Sequence, residues 1–118
     1  MIIGRAHPAE THGSHIINGF MKHLLSDTSQ MKIFRKGMIV KIVPMINPDG
    51  VIIGNTRTSF TGKDLNRCYS YRTDFVFPEV VAIRDFAQKL KSKYGKRFLF
   101  LIDVHGHSTR KNSFFFGP

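Results

Sequence analysis

The stretch "RFLFLIDVHGHS", residues 97–108, decides the architecture. Residues 97–104 are apolar and strand-forming, and they run straight into a polar turn that holds His105, Gly106 and His107. Upstream, Pro78 is placed to open a helix running to about Tyr94, with Val80, Ile83, Ala87 and Leu90 inward and Gly95 as its stop. Further back, "MIVKIVPMI" (38–46) reads as a buried strand closed by Pro44, and "HGSHIINGFMKHLLS" (12–26) follows a helical period. Ile16, Ile17, Phe20, Leu24 and Leu25 share one side of that helix, and polar "DTSQ" ends it. "IIGR" (2–5) is a short strand, and "SFFFG" (113–117) reads as another. Helices alternating with strands predict an α/β fold with a mixed, largely parallel sheet and flanking helices, in one unit over 1–118.

Two connections stand out. "NPDG" at 47–50 is a turn signal, because Pro48 fixes φ and Gly50 permits positive φ. Residues 55–76 form a long polar loop without period, carrying "GKDLNRCYSY"; loops of this length in compact domains are often functional.

Composition narrows the partners. The chain has 118 residues, 42% of them hydrophobic, and no apolar run approaches the ~20 residues that span a bilayer. One cysteine, Cys68, precludes an internal disulfide and favours a reducing compartment. The net charge of +10 attracts polyanions. The basic residues are scattered and no stacked-aromatic platform accompanies them, which weighs against nucleic acid. A basic binding module without catalysis is nevertheless one alternative.

The histidines carry the chemistry. His7 follows the first strand, and His105 ends the strand at 97–104. If those strands are parallel, both land on the carboxyl rim of the sheet, where open α/β folds bind ligands. Glu10 stands three residues after His7 and can face the same point if the chain turns into a helix there. Two histidine nitrogens and a carboxylate, with a fourth position open, make a catalytic zinc donor set. His12 and His15 offer competing ligands at similar spacing and are expected on the exposed face, as is His23. His107 suits a structural or a functional role equally. Asp103, two residues before His105 on the same side of the strand, is placed to orient a ligand histidine or a nearby cation, or to form a buried structural pair.

In order along the chain, "HPAE", "NPDG", "GKDLNR" and "DVHGHS" resemble the zinc carboxypeptidase superfamily, most closely its cytosolic carboxypeptidase branch. The resemblance implies one zinc ion held by His7, Glu10 and His105. It implies Arg57 as the cation that polarises the scissile carbonyl, and Asn66 and Arg67 as the clamp on a substrate's terminal carboxylate. It further implies cytoplasmic removal of C-terminal residues, glutamate foremost, from acidic protein tails or polyglutamate side chains such as those of tubulin. Asp64 is expected to fix the loop backbone. Arg5, Lys63, Arg67, Arg110 and Lys111 are expected around the site, which suits an acidic peptide.

One part is missing from this reading. Hydrolysis needs a general base, and the chain has two glutamates: Glu10, assigned to the metal, and Glu79, at a helix start that capping alone explains. In the resembling family the catalytic glutamate lies on a later strand. The expectation is therefore an incomplete domain, zinc-competent and inactive by itself. A rival within the superfamily is an amidohydrolase like the aspartoacylase or desuccinylase enzymes, from which "NPDG" and "HGHS" point away.

Overall fold

A computed structural model describes residues 1–71 and 75–117. Strands β1 (Ile2–Gly4), β2 (Ile42–Val43) and β3 (Ile102–Val104) pair in the order β2–β1–β3, both pairs parallel. Helices α1 (Thr11–Leu24), α2 (Ser29–Gly37), α3 (Pro48–Ile53) and α4 (Pro78–Tyr94) connect them, with single 3-10 turns at Leu65–Arg67 and Gly95–Arg97. Among the described residues no helix is long and apolar enough to cross a membrane.

Alternation along β1 assigns the two faces of the sheet. Ile3 points into a core with Met1, Leu65, Val80, Ile83 and Leu90, so α4 covers that face. Gly4 points the other way, where an added Cβ would meet Ile17 Cδ1 of α1 at 2.7 Å. Full burial of a Val, Leu or Ile side chain stabilises by about 1.5–3 kcal/mol. The α4 face, with Ile3, Leu65, Val80, Ile83 and Leu90 all buried, therefore holds the sheet more firmly than the α1 face, where Ile17 is the one large apolar residue of its helix to be buried.

Several expectations need correction. The apolar side of α1 is not covered throughout, since Ile16 is 54% and Leu25 71% exposed. "DTSQ" ends α1 but also opens α2: Thr28 accepts a hydrogen bond from the Met31 N–H as a helix N-cap. Arg35 of α2 reaches back to the carbonyls of Leu24 and Ser26 and so ties α2 to the end of α1. "NPDG" does not form an isolated turn. Asn47 caps a helix whose first residue is Pro48, and Gly54 closes it at φ 87°; proline and asparagine suit a helix start as well as a turn. The strands are shorter than their apolar runs, because a ladder extends only as far as β1 provides partners. "SFFFG" is not a strand: nothing pairs with it among the described residues, and Phe115 and Phe116 lie open to solvent.

Candidate metal centre

Just past β1 the chain turns sharply at Arg5, which adopts φ 58°. Arg5 is buried, with one guanidinium nitrogen on Ser14 Oγ at 2.8 Å and the other on the Pro8 carbonyl at 2.6 Å. It braces the segment and does not face a substrate, contrary to its expected place among the basic residues around the site. Asn47 holds the same segment from beneath. It is fully buried, donates to the Ala6 carbonyl at 3.1 Å and accepts from the Gly50 N–H at 3.0 Å. The Ala9 N–H donates to Thr56 O at 3.0 Å, which fastens the long loop alongside. His7, Pro8, Ala9 and Glu10 are thus fixed from three directions before α1 begins.

Parallel pairing of β1 with β3 brings His105 to the same rim. His7 and His105 stack at a tilt, ring centroids 4.8 Å apart. His7 Nδ1 lies 2.9 Å from Glu10 Oε1, and His105 Nδ1 lies 3.2 Å from both Glu10 Oε2 and His7 Nδ1. The Gly106 N–H donates to Glu10 Oε2 at 2.8 Å and holds that carboxylate in place. On the far side of each ring sits another carboxylate. His7 Nε2 donates to Asp64 Oδ1 at 3.0 Å, and His105 Nε2 donates to Asp103 Oδ2 at 2.8 Å.

Those outer carboxylates fix the chemistry of the centre. A carboxylate accepts only, and each ring lies between an outer carboxylate and Glu10; with the proton on Nε2, toward the outer carboxylate, each Nδ1 presents a lone pair to the centre. Two such lone pairs and the Glu10 carboxylate aim at one point, their donor atoms all within 4.8 Å of one another. Electron pairs so placed repel unless a proton or a cation lies among them. The donor types, the convergence and the carboxylate behind each imidazole all fit zinc. With no cation among them, the same groups attract protons instead. Burial pushes Glu10 up, but the Gly106 N–H and the two imidazoles outweigh it and leave the carboxyl below its ordinary value. The Asp103 hydrogen bond, against opposition from burial, raises His105 above the ordinary histidine value.

The long loop adds a second layer. Asp64 does cap the 3-10 turn, accepting from the Asn66 N–H at 2.9 Å. It also grips His7, as above, and receives the Arg57 guanidinium on Oδ2 through Nε at 2.9 Å and a terminal nitrogen at 2.8 Å. Burial pushes Asp64 up, yet the His7 bond, the Asn66 N–H and the Arg57 charge hold it below the ordinary carboxyl value. Residue types alone do not show this link between Arg57 and His7. Asn66 is half-buried, and Arg67 is exposed beside it. Cys68 is buried, its thiol donating to Asp64 O at 3.2 Å.

His12, His15 and His23 are exposed, as expected. His12 nevertheless borders the site: an added Cβ on Gly106 would meet its ring at 2.6 Å and the Glu10 carboxyl carbon at 3.6 Å. His107 has a structural contact set, since its Nδ1 accepts from the N–H groups of Thr109 and Arg110 and its ring meets the edge of Phe114.

The parallel α/β layer carries a histidine–carboxylate–histidine set at its carboxyl rim, and comparison with known proteins gives the class to which it belongs. The chain belongs to the zinc carboxypeptidase family, whose family model matches residues 1–117. It is 41% identical over 117 residues to cytosolic carboxypeptidase 3 of Mus musculus and 37% identical to cytosolic carboxypeptidase 2 of Homo sapiens, each match covering 99% of the chain. The chain spans 11% of the mouse protein and 13% of the human one. Among solved structures, a metallo-carboxypeptidase from Pseudomonas aeruginosa in complex with (2-guanidinoethylmercapto)succinic acid superposes with a TM-score of 0.67 at 30% identity, covering 90% of this chain and 27% of that one. A metallo-carboxypeptidase from Burkholderia cenocepacia gives 0.66 at 35% identity, covering 75% and 25%.

Proposed function

We propose that the chain forms the metal- and carboxylate-binding part of a cytoplasmic metallocarboxypeptidase that removes C-terminal residues, glutamate foremost, from acidic protein tails such as that of tubulin. The observation that carries the reading is the convergence of His7 Nδ1, Glu10 and His105 Nδ1 on one point, with Asp64 and Asp103 behind the rings. Zinc bound there supplies Lewis-acid polarisation and lowers the pKa of a water toward about 7.

The other roles fall to the loop. Arg57 stabilises charge developing on the scissile carbonyl oxygen. Its side chain is 53% exposed, and an ion pair so open to solvent is worth about 1 kcal/mol or less. A substrate can therefore draw the guanidinium away from Asp64 without unfolding the loop. Asn66 and Arg67 clamp the terminal carboxylate, Arg67 with the forked geometry that lysine lacks. Exposed Lys63, Arg67, Arg110 and Lys111 favour an acidic peptide over a neutral one. The cytosolic carboxypeptidase names of the relatives support cleavage at a C-terminus and a cytoplasmic setting. Glu10, Asp64 and Asp103 are each committed to a histidine, so none of the three is placed to take a proton from water.

Metal analysis after exhaustive buffer exchange tests the first half of the reading. About one zinc per chain, lost in His7→Ala and in His105→Ala, is the expected result; a folded chain without zinc would remove it. The second half is tested in a fusion of the chain to the remaining catalytic segment of a cytosolic carboxypeptidase relative. Glutamate release from an acidic peptide, abolished by Arg57→Ala, is expected there, while equal turnover of a neutral peptide would remove the acidic preference.

A further inference from the structure

Asp103 is unusual for its place in the sheet. It pairs in register with Ile3 and so lies on the face that α4 covers with apolar side chains. One of its oxygens, Oδ2, receives the His105 ring proton, while Oδ1 is buried without a partner. A buried carboxylate oxygen ordinarily finds at least one donor. Tyr69 presents the complementary problem, because its hydroxyl is also buried without a partner. Both side chains line one notch of about 350 Å³ between β3 and α4, walled otherwise by Ile3, Ile83, Ala87 and Leu101. Two polar residues share its rim. Arg84 is bound to the Tyr71 carbonyl and to Asp85, and Gln88 faces solvent. The phenol is thus the donor of the notch, Asp103 Oδ1 is its acceptor, and the open space leaves room for the two side chains to turn toward each other.

We propose that Tyr69 is a positioning residue of the metal centre: its hydroxyl donates to Asp103 Oδ1, so that Tyr69, Asp103 and His105 form one hydrogen-bonded chain ending at the His105 Nδ1 lone pair. The inference rests on the assignment of His105 as a metal ligand. A donor on Oδ1 stops the carboxylate from rotating, which keeps Oδ2 on the Nε2 proton and the ring in the tautomer that leaves Nδ1 free. Burial, and after it the charge of Asp103, pushes the phenol up to about 12, so it remains a protonated donor at neutral pH. No local sequence pattern marks Tyr69, because its connection to His105 runs through packing of the long loop against α4.

Tyr69→Phe removes the hydroxyl and keeps the ring, and Asp103→Asn alters the link itself. Zinc affinity, measured by competition with a chelator, is expected to fall about 10- to 100-fold in Asp103→Asn and by roughly tenfold or less in Tyr69→Phe, which lies one step further out. The double variant is expected to be no weaker than Asp103→Asn alone, since both changes break one chain. In the metal-free protein, nitrogen-edited NMR is expected to show the His105 Nε2 proton shifted and exchanging faster in Tyr69→Phe. Additive losses in the double variant, or unmoved His105 ring signals in Tyr69→Phe, would overturn the proposal. If His105→Ala retains zinc, the ligand assignment fails by itself, and the ring signals of the metal-free protein still decide whether Tyr69 reaches His105 through Asp103.

Discussion

The Nδ1 atoms of His7 and His105 lie 3.2 Å apart although 98 positions separate them in the chain. Strand pairing produces the meeting. Gly4 of β1 is in register with Val104 of β3, so the residues that follow each strand leave the sheet at one rim. Arg5 and Asn47 then turn the first segment inward, and the Gly106 N–H ties the second to Glu10. Each ring is held from behind by its own carboxylate, so the convergence does not depend on loop conformation alone.

The two residues bound to Asp64 are expected to separate cleanly by mutation. Asp64→Asn weakens the grip on His7, and zinc affinity should fall about 10- to 100-fold. Arg57→Ala leaves the His7–Asp64 bond in place, so zinc affinity should stay within about threefold of the parent, the exposed pair contributing little. Chelator competition on both variants checks the contrast. Equal losses would mean that Arg57 holds Asp64 in position, and would argue against its release to a substrate.

Gly50 is expected to tolerate no side chain. A Cβ there would stand 2.6 Å from Pro8 Cγ, 2.6 Å from the Thr58 carbonyl and 2.7 Å from Asn47 Oδ1. Two of these neighbours are rigid and the third is a buried cap, so Gly50→Ala should destabilise by about 1–3 kcal/mol. It should also push Pro8 and weaken zinc binding. Urea denaturation with and without zinc measures both effects. Unchanged stability would show that the turn after β1 is looser than its hydrogen bonds indicate.

Much of this arrangement was legible in the chain, for identifiable reasons. Helix α4 shows because Val80, Ile83 and Leu90 repeat at the helical period and are buried together. The rim site shows because a histidine directly after an apolar run marks a strand end whatever the details. Helix α2 is hard to see in the sequence because its inward stripe, Met31, Phe34 and Arg35, is short, only half-buried and partly charged; its Thr28 cap falls in the polar run that also ends α1. Helix α3 resembles a turn in sequence because Asn47, Pro48 and Gly50 serve either structure. Asp64 reaches His7 across 57 positions, and no local pattern encodes a contact of that range. The aromatic run at 114–116 misled because strand-forming residues make a strand only when a neighbour pairs with them.

Gly106, in contrast to Gly50, is expected to accept alanine. The added Cβ would press on the end of the His12 ring at 2.6 and 2.8 Å, while Glu10 stays 3.6 Å away. His12 is an exposed side chain that can swing aside, and the Gly106 N–H can still donate to Glu10. Gly106→Ala should therefore keep zinc affinity within about threefold and move the His12 ring signals in an NMR spectrum. Adding His12→Ala should restore any loss. A large loss that His12→Ala does not repair would place the requirement for glycine in the backbone at 106.

Cys68 is expected to be chemically quiet in the folded chain. Its side chain is 3% exposed, and its thiol donates to the Asp64 carbonyl. Burial, then the charge of Asp64, pushes the thiol up, with Lys63 in partial opposition. The thiolate is the reactive form, so at any pH below the raised value Cys68 carries less of it than a free thiol. Iodoacetamide labelling at pH 8 should therefore run slower than for a small-molecule thiol. Between about pH 8.5 and 9.5 the free thiol levels off as its own titration completes, whereas labelling of Cys68 should continue to climb. Denaturant should bring both to the same rate. Native labelling at the free-thiol rate would show that the loop around Leu65 opens on the labelling timescale, and with it the hold of Asp64 on His7.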